Sequence, residues 1–256
     1  MADYQRIEYS VTEGLAYITL NRPEKRNALD RLTLDELGSA LRAAEEDAGV
    51  KLVILTGAGK DFCAGLDLSE LQTLSEASVM ENLADARRLA NLFLTLRRLV
   101  KPVVALVRGR ALAGGCGLAS ACDLLLAAES ARFGYPEVKI GFVAAIVAVL
   151  LRRSVGEKKA AELILSGRVV TATEAERLGL VNFVYPDEDF DRNATAFIRE
   201  LKQNSLTAMT LTKRILYEID ALPIEAALEQ AISTNALARL TEDFKRGLAS
   251  FLTKDR

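Results

Sequence analysis

VVALVRGRALAGGCGLASACD, running from Val103 to Asp123, is the stretch on which the fold turns. Val103 to Val107 is a short, almost wholly apolar run beside Pro102, the composition of a strand buried on both faces. Arg108, Gly109 and Arg110 break that pattern. From Ala113-Gly114-Gly115 to Cys122 the residues are small, as in the opening turns of a helix packed tightly against a neighbour. With side chains nearly absent, a ligand can come close to the backbone. The first N–H groups of a helix have no intrahelical acceptor and carry a partial positive charge. The N–H of Gly114 is therefore a candidate donor to a developing oxyanion. Taken alone, the same residues also fit a Gly/Ala contact between helix and strand with no chemistry.

Outward from this stretch, short buried strands alternate with helices. Ile7 to Ser10 and Leu15 to Leu20 read as a hairpin about Glu13-Gly14. Thr33 with Glu36 reads as a capping box, followed by Leu34, Leu37, Leu41, Ala44 and Ala48 at helical spacing in a helix that ends at Gly49. Leu52 to Thr56 reads as a buried strand, Gly57 to Gly65 as a loop, and Asp67 as the cap of a short helix through Leu71. A longer helix is expected over Glu76 to Leu99, a strand over Leu124 to Ala128 and a turn at Phe133 to Glu137. Val143 to Val155, rich in Ala and Val, reads as a buried helix, and Glu157 to Leu165 as another. Thr173 with Glu176 reads as a second capping box, closed by Gly179. From Asp187 the text is helical except at Pro223, with Phe244, Leu248, Phe251 and Leu252 on one face of the last helix. The pattern is α/β with a helical C-terminal part.

Composition narrows the chemistry. The chain has 256 residues, half of them hydrophobic, enough for one large domain or one and a half, with a substantial core. A net charge of −2 without single-sign blocks gives no footprint for nucleic acid or an anionic membrane. There is no histidine, which excludes His-dependent triads, His general bases and His metal sites. Cys63, Cys116 and Cys122 lie in small apolar stretches and form neither a zinc pattern nor a disulfide framework, which predicts a reducing, cytoplasmic setting. The opening MADYQRIEYS has no apolar signal core, and the most apolar run, Gly141 to Leu151, is too short to span a bilayer.

Thr56-Gly57-Ala58-Gly59-Lys60-Asp61 glances at a phosphate loop, but its spacing is wrong and Asp61 stands where Ser or Thr would coordinate magnesium. Gly109 to Gly117 contains no dinucleotide fingerprint. Phe62 to Leu68 follows a strand, turns at Gly65 and opens a helix, so the N–H of Leu66 is a second candidate oxyanion donor; a plain βα turn capped by Asp67 fits the same residues. Glu137 lies between Pro136 and an apolar helix. Such surroundings favour a neutral carboxyl and bring it toward acid–base duty, whereas a surface glutamate paired with Lys139 is the bland alternative.

In order and spacing, Phe62-Cys63-Ala64-Gly65-Leu66-Asp67-Leu68, Val103 to Asp123 and Phe133-Gly134-Tyr135-Pro136-Glu137 resemble the enoyl-CoA hydratase/isomerase (crotonase) superfamily. Asn21-Arg22-Pro23 to Asn27-Ala28-Leu29 and Phe251 to Lys254 fit as well, so the resemblance spans essentially the whole chain. It implies a crotonase-like spiral of repeated strand–strand–helix turns over residues 1–195, carrying acyl-CoA binding and catalysis. It also implies a C-terminal helical region, 196–256, that joins subunits into a homotrimer or a dimer of trimers.

The resemblance implies site residues too. The thioester oxygen of an acyl-CoA would lie between the backbone N–H groups of Leu66 and Gly114, with Glu137 as the catalytic carboxyl. Coenzyme A, part of the substrate and not a separate cofactor, would be held by Lys25, Lys60, Ala64, Leu68 and, from a neighbouring subunit, Phe251 and Lys254. No metal, nucleic acid or membrane partner is implied. Two-glutamate hydratases carry a further carboxylate at the position of Gly117, which reads as room without a carboxylate. Glu137 is left to serve both as base for water and as acid for the α-carbon. Phe142 to Leu151 stands where such hydratases often have a Pro/Gly-rich turn, and implies more bulk near the acyl chain. The implied activity is hydration of the 2,3-double bond of an enoyl-CoA. A 3,2-enoyl-CoA isomerase needs one carboxylate and is the alternative; a non-catalytic or RNA-binding relative, echoed by Arg87, Arg88, Arg97, Arg98 and Lys101, is the third.

Overall fold

The computed structural model describes residues 3–254, with the side chain of Lys254 outside it. In chain order the strands and helices are β1 (Ile7–Thr12), β2 (Leu15–Leu20), α1 (Arg31–Glu46), β3 (Leu52–Gly57), α2 (Leu68–Ser75), α3 (Val79–Arg98), β4 (Val103–Val107), β5 (Arg110–Leu112), α4 (Gly114–Ala121), β6 (Leu124–Ala128) and β7 (Arg132–Gly134). A 3-10 turn, Pro136–Ile140, follows. The chain continues with α5 (Ala145–Val155), α6 (Glu157–Ser166), β8 (Val169–Thr171), α7 (Ala172–Arg177), β9 (Phe183–Tyr185), α8 (Phe190–Gln203), α9 (Leu206–Glu218), α10 (Ile224–Ala238) and α11 (Glu242–Lys254).

The large sheet has six strands in the order β1-β2-β3-β4-β6-β9. Its first pair is an antiparallel hairpin turned by Glu13 and Gly14, at φ 51 and 79°, and every later pair is parallel. A small sheet runs β5-β7-β8. The chain visits one sheet, then the other, then makes a helix: β4, β5, α4; then β6, β7, α5. Single bridges continue the small layer in the earlier turns, Cys63 beside Ala111 and Leu29 beside Leu66. The result is a spiral of strand–strand–helix turns.

The continuous apolar runs are explained by cover on both faces of the large sheet. Val53, Leu55, Val103, Ala105, Leu125 and Ala127 enter the main core. Their neighbours Leu52, Ile54, Val104 and Leu126 face the other way and pack with Phe190, Ala194 and Ile198 of α8. Helix α8 runs unbroken through residue 195, so the boundary expected there falls inside a helix that covers the sheet. Below it, Lys213 of α9 is buried and bonded to Asp123 (2.8 Å), Leu96 O (2.8 Å) and Lys101 O (3.1 Å), which ties α9 to the spiral.

Several local expectations shift. The cap of α1 is Asp30, whose carboxylate accepts from the Thr33 N–H, and not Thr33. Glu36 instead accepts from the N–H groups of Gln5 and Arg6. The cap of α7 is Thr171 over Glu174, and Glu176 accepts from Val184 N–H. In both cases the expected box sits inside the helix, because its glutamate reaches another segment: Glu36 the bend that leads into β1, Glu176 the strand β9. A capping box does occur at Ser78 and Glu81, starting α3 later than expected. Helix α1 ends at Glu46, short of Gly49. Helix α5 buries Val147, Leu150 and Leu151 but leaves Val149 exposed, so it is half buried and not wholly so. The small sheet was hidden in segments that read as a break (Arg108–Arg110) and a turn (Phe133–Glu137).

Candidate active site

A cavity of about 500 Å³ opens between α2, α3, α4, α5 and the 3-10 turn. Leu66, Gly114 and Glu137 all line it. Leu66 lies in the parallel bridge with Leu29: Leu29 N–H donates to Gly65 O and Asp67 N–H donates to Leu29 O. In such a bridge the intervening residue turns its own N–H the other way. Gly114 is the first residue of α4, and its N–H has no intrahelical acceptor. The two meet closely: a Cβ placed on Gly114 would lie 3.9 Å from Leu66 N, and one placed on Gly65 would lie 3.4 Å from Gly114 N.

This geometry is bought with backbone strain. Ala113, the residue before α4, has φ 52 and ψ −128°, a conformation that L side chains rarely adopt. Ala113 N–H donates to Gly134 O, and Leu112 N–H to Cys63 O, so bonds at Ala113 and at the residue before it fix the turn. Gly65, at φ 100°, passes so close that a Cβ would meet Ala113 Cβ at 2.8 Å. Nothing in the sequence marks Ala113, because alanine is not the residue that such a dihedral ordinarily selects.

Glu137 sits on the 3-10 turn, 8 % exposed. Its Oε2 is buried without a hydrogen-bond partner, and Lys139 is exposed and makes no ion pair with it among the described residues. Burial pushes its carboxyl pKa up from the usual glutamate value. Tyr135, two residues earlier, is wholly buried with its hydroxyl 3.2 Å from Ser120 Oγ on α4. Ser120 Oγ spends its proton on Cys116 O at 2.6 Å, so Tyr135 is the donor in that pair. The turn bearing Glu137 is thereby bonded to the helix that begins at Gly114, a link the sequence reading missed.

Gly117 does not leave room. A Cβ there would lie 2.4 Å from Val147 Cγ1 and 3.0 Å from the Phe93 ring. The volume expected to be empty is occupied by α5 and α3, and Gly117 does not line the cavity. Phe142, Val143 and Val147 do line it, which puts apolar bulk along that wall.

The other expected residues gather in part. Pro23–Lys25 forms a 3-10 turn against the loop of Lys60: a Cβ on Gly59 would meet Pro23 Cβ at 2.8 Å, and Asn27 Nδ2 donates to Ala58 O and Asp61 O. Ala64 N–H donates to Arg26 O, so Lys25, Lys60 and Ala64 share one rim, with both lysines exposed. Leu68, 71 % exposed, opens α2 just past Leu66. Beneath this rim Arg22, not singled out in the sequence as a site residue, bridges two helix caps at 3.1 Å each, Asp30 of α1 and Asp67 of α2, and donates to Ala28 O. Phe251 is exposed on α11 and does not line the cavity of its own chain, and Lys254 falls outside the described side chains. Of the basic residues in and just after α3, Lys101 is buried on Ala44 O at 2.6 Å, Arg97 lies 4.3 Å from the Tyr217 ring, Arg88 pairs with Asp35 at 3.2 Å, and Arg87 and Arg98 are exposed.

Preset N–H donors on one wall and a desolvated carboxyl on another suit proton transfer at a carbon beside a carbonyl. The enoyl-CoA hydratase/isomerase family model matches residues 10–256. The chain is 45 % identical over 240 residues to a putative enoyl-CoA hydratase of Thermus thermophilus, covering 94 % of this chain and 95 % of that one. It is 35 % identical to crotonyl-CoA hydratase of Syntrophomonas wolfei over 98 % and 96 % of the two chains. Its fold is similar to that of an enoyl-CoA hydratase of Mycobacterium smegmatis, with TM-score 0.94 and 34 % identity over 98 % of this chain and 97 % of that one.

Proposed function

The chain belongs to the enoyl-CoA hydratase/isomerase family, and from that premise we propose that it hydrates the 2,3-double bond of an enoyl-CoA thioester. The observation that carries this reading is the meeting of Leu66, Gly114 and a desolvated, unpartnered Glu137 on one cavity. The thioester oxygen sits between the N–H groups of Leu66 and Gly114. As water adds at C3, negative charge moves onto that oxygen, and the two dipoles stabilise the enolate; one such donor contributes about 3 kcal/mol. Glu137 takes the proton of the attacking water and delivers a proton to C2. The reaction consumes water and needs no further cofactor. Lys25 and Lys60 meet the phosphates of coenzyme A, with Ala64 and Leu68 beside the adenine. Phe251 and Lys254 would serve a neighbouring subunit, and the exposed apolar residues of α10 and α11 favour self-association as a trimer or dimer of trimers in the cytoplasm.

The closed position at Gly117 supports a second reading. With no carboxylate at residue 117, Glu137 alone suffices to move a proton between C4 and C2, as in a 3,2-enoyl-CoA isomerase. Incubation with crotonyl-CoA and, separately, with a 3-enoyl-CoA, followed by product analysis, tests both. Formation of 3-hydroxybutyryl-CoA is expected; conversion of only the 3-enoyl substrate would replace hydratase by isomerase.

A further inference from the structure

Away from Leu66, Gly114 and Glu137, the cavity changes character. Its wall there is built by the end of α2 and the start of α3, and three polar residues line it: Ser75, Asn82 and Asp85. Along α3, Phe93 abuts Gly117, Leu89 lines the cavity one turn earlier and Asp85 follows one turn beyond, on the same face. At a rise of about 1.5 Å per residue, Asp85 lies roughly 12 Å along the axis from Phe93, and Asn82 further still. An acyl chain leaving the reacting carbons along this wall meets Leu89 first and the polar group last.

Proton accounting shows what that end offers. Ser75 Oγ donates its only proton to Gln72 O at 2.6 Å. Asn82 Nδ2 is spent on the carbonyls of Leu74, Ala77 and Ser78, at 3.0, 3.2 and 3.2 Å, which fixes the amide with Oδ1 as its remaining group. Asp85 is an acceptor, and its side chain is only 14 % exposed. Arg31 and Arg88 form ion pairs with its Oδ1 at 3.7 and 3.8 Å, too long for hydrogen bonds, and neither lines the cavity. Among the described residues neither carboxylate oxygen accepts a hydrogen bond. The side chains that line the far end of the cavity therefore present acceptors and no free donor.

We propose that this site selects acyl-CoA substrates whose acyl tail ends in a hydrogen-bond donor, a hydroxyl or an ammonium group, with Asp85 as the specificity-determining residue. The inference rests on the acyl-CoA reading of the cavity and names its substrate class. A plain alkyl end strips water from Asp85 and returns no hydrogen bond, and a carboxylate end, itself an acceptor, has no proton to donate to it. A donor end satisfies the carboxylate, and sites built to hydrogen-bond a substrate group discriminate strongly against analogues lacking it.

The test is calorimetric binding of saturated hexanoyl- and octanoyl-CoA against their ω-hydroxy, ω-amino and ω-carboxy analogues, with kcat/KM for the matching 2-enoyl series. The wild type should bind the ω-hydroxy or ω-amino member at least about tenfold more tightly than the alkyl member, with the ω-carboxy member weakest. Asp85→Leu should bring that ratio to one or below, while Asp85→Asn should retain a hydroxyl preference and lose an ammonium one. Ratios within one variant do not depend on how much of it folds. Equal or better binding of the alkyl member by the wild type, or an unchanged ratio in Asp85→Leu, overturns the proposal. Failure to turn over crotonyl-CoA or any 2-enoyl member would count against the hydratase reading instead, since the binding ratios are read without turnover.

Discussion

Glu137 is a carboxyl group that burial makes costly to ionise, and that cost has two consequences. In the folded chain its pKa lies above that of the unfolded chain. The penalty on folding is therefore absent at low pH, appears as pH rises past the unfolded value near 4, and is complete above the folded value. Glu137→Gln should be more stable than the wild type at pH 7 to 8, by about 1 kcal/mol, and the gap should close as pH falls below about 4. Thermal melts of both proteins across pH check this; a Gln variant less stable at neutral pH would mean that the carboxylate has a stabilising partner. At Gly117 the expectation is reversed from the one the residue type suggests. Gly117→Glu must displace Val147, a stiff β-branched side chain on a helix, and should cost about 1–3 kcal/mol by denaturant titration. Adding Val147→Ala should recover most of that loss. A Gly117→Glu protein as stable as the parent would show that α5 yields freely. Gly65→Ala combines φ 100° with a 2.8 Å approach to Ala113 Cβ, and should disturb the loop that aims Leu66.

Between elements, the ion pairs of Arg22 matter more than its place in the sequence suggests. Its guanidinium holds the capping carboxylates of α1 and α2 together, so Arg22→Met leaves buried Asp67 without its cation and buried Asp30 with Arg6 alone. Removing one partner of a buried network typically costs about 3–5 kcal/mol, and equilibrium unfolding should read a loss of that order. Hydrogen bonding to Ser69 together with Arg22 lowers the pKa of Asp67; Asp30, despite its desolvation, is also lowered, by Thr33, Arg22 and Arg6. Both carboxylates stabilise the fold above the unfolded aspartate value near 4, and that contribution is lost as pH falls through their folded values. Acid unfolding should accordingly begin at higher pH in Arg22→Met. Elements were read from sequence where one signal governs: the apolar runs of β3, β4 and β6, and the Asp67 cap of α2. They were misread where a side chain serves the backbone of another segment, as Glu36 and Glu176 do, or where a strand has only three residues and gains its partners from distant chain, as β5, β7 and β8 do.

For the whole molecule, the spiral and the cavity follow from local motifs whose joint spacing is legible in the sequence. The strain at Ala113, the Tyr135–Ser120 link and the closing of Gly117 by Val147 are products of packing between segments far apart in the chain. The C-terminal helices leave Leu228, Ile232, Leu237, Phe244, Leu248 and Phe251 exposed, an apolar surface that a second copy of the chain would cover. Sedimentation at micromolar concentration should give a multiple of the 27.8 kDa chain mass, and a monomer would contradict the proposed assembly.

The central claim is that Glu137 carries the proton transfers, with binding left to the backbone donors and lysines. The most direct measurement compares crotonyl-CoA hydration by the wild type and Glu137→Gln, together with acyl-CoA affinity of both. Turnover should fall by about 10²–10⁴-fold with affinity retained; full activity in Glu137→Gln would make Glu137 structural and contradict the mechanism.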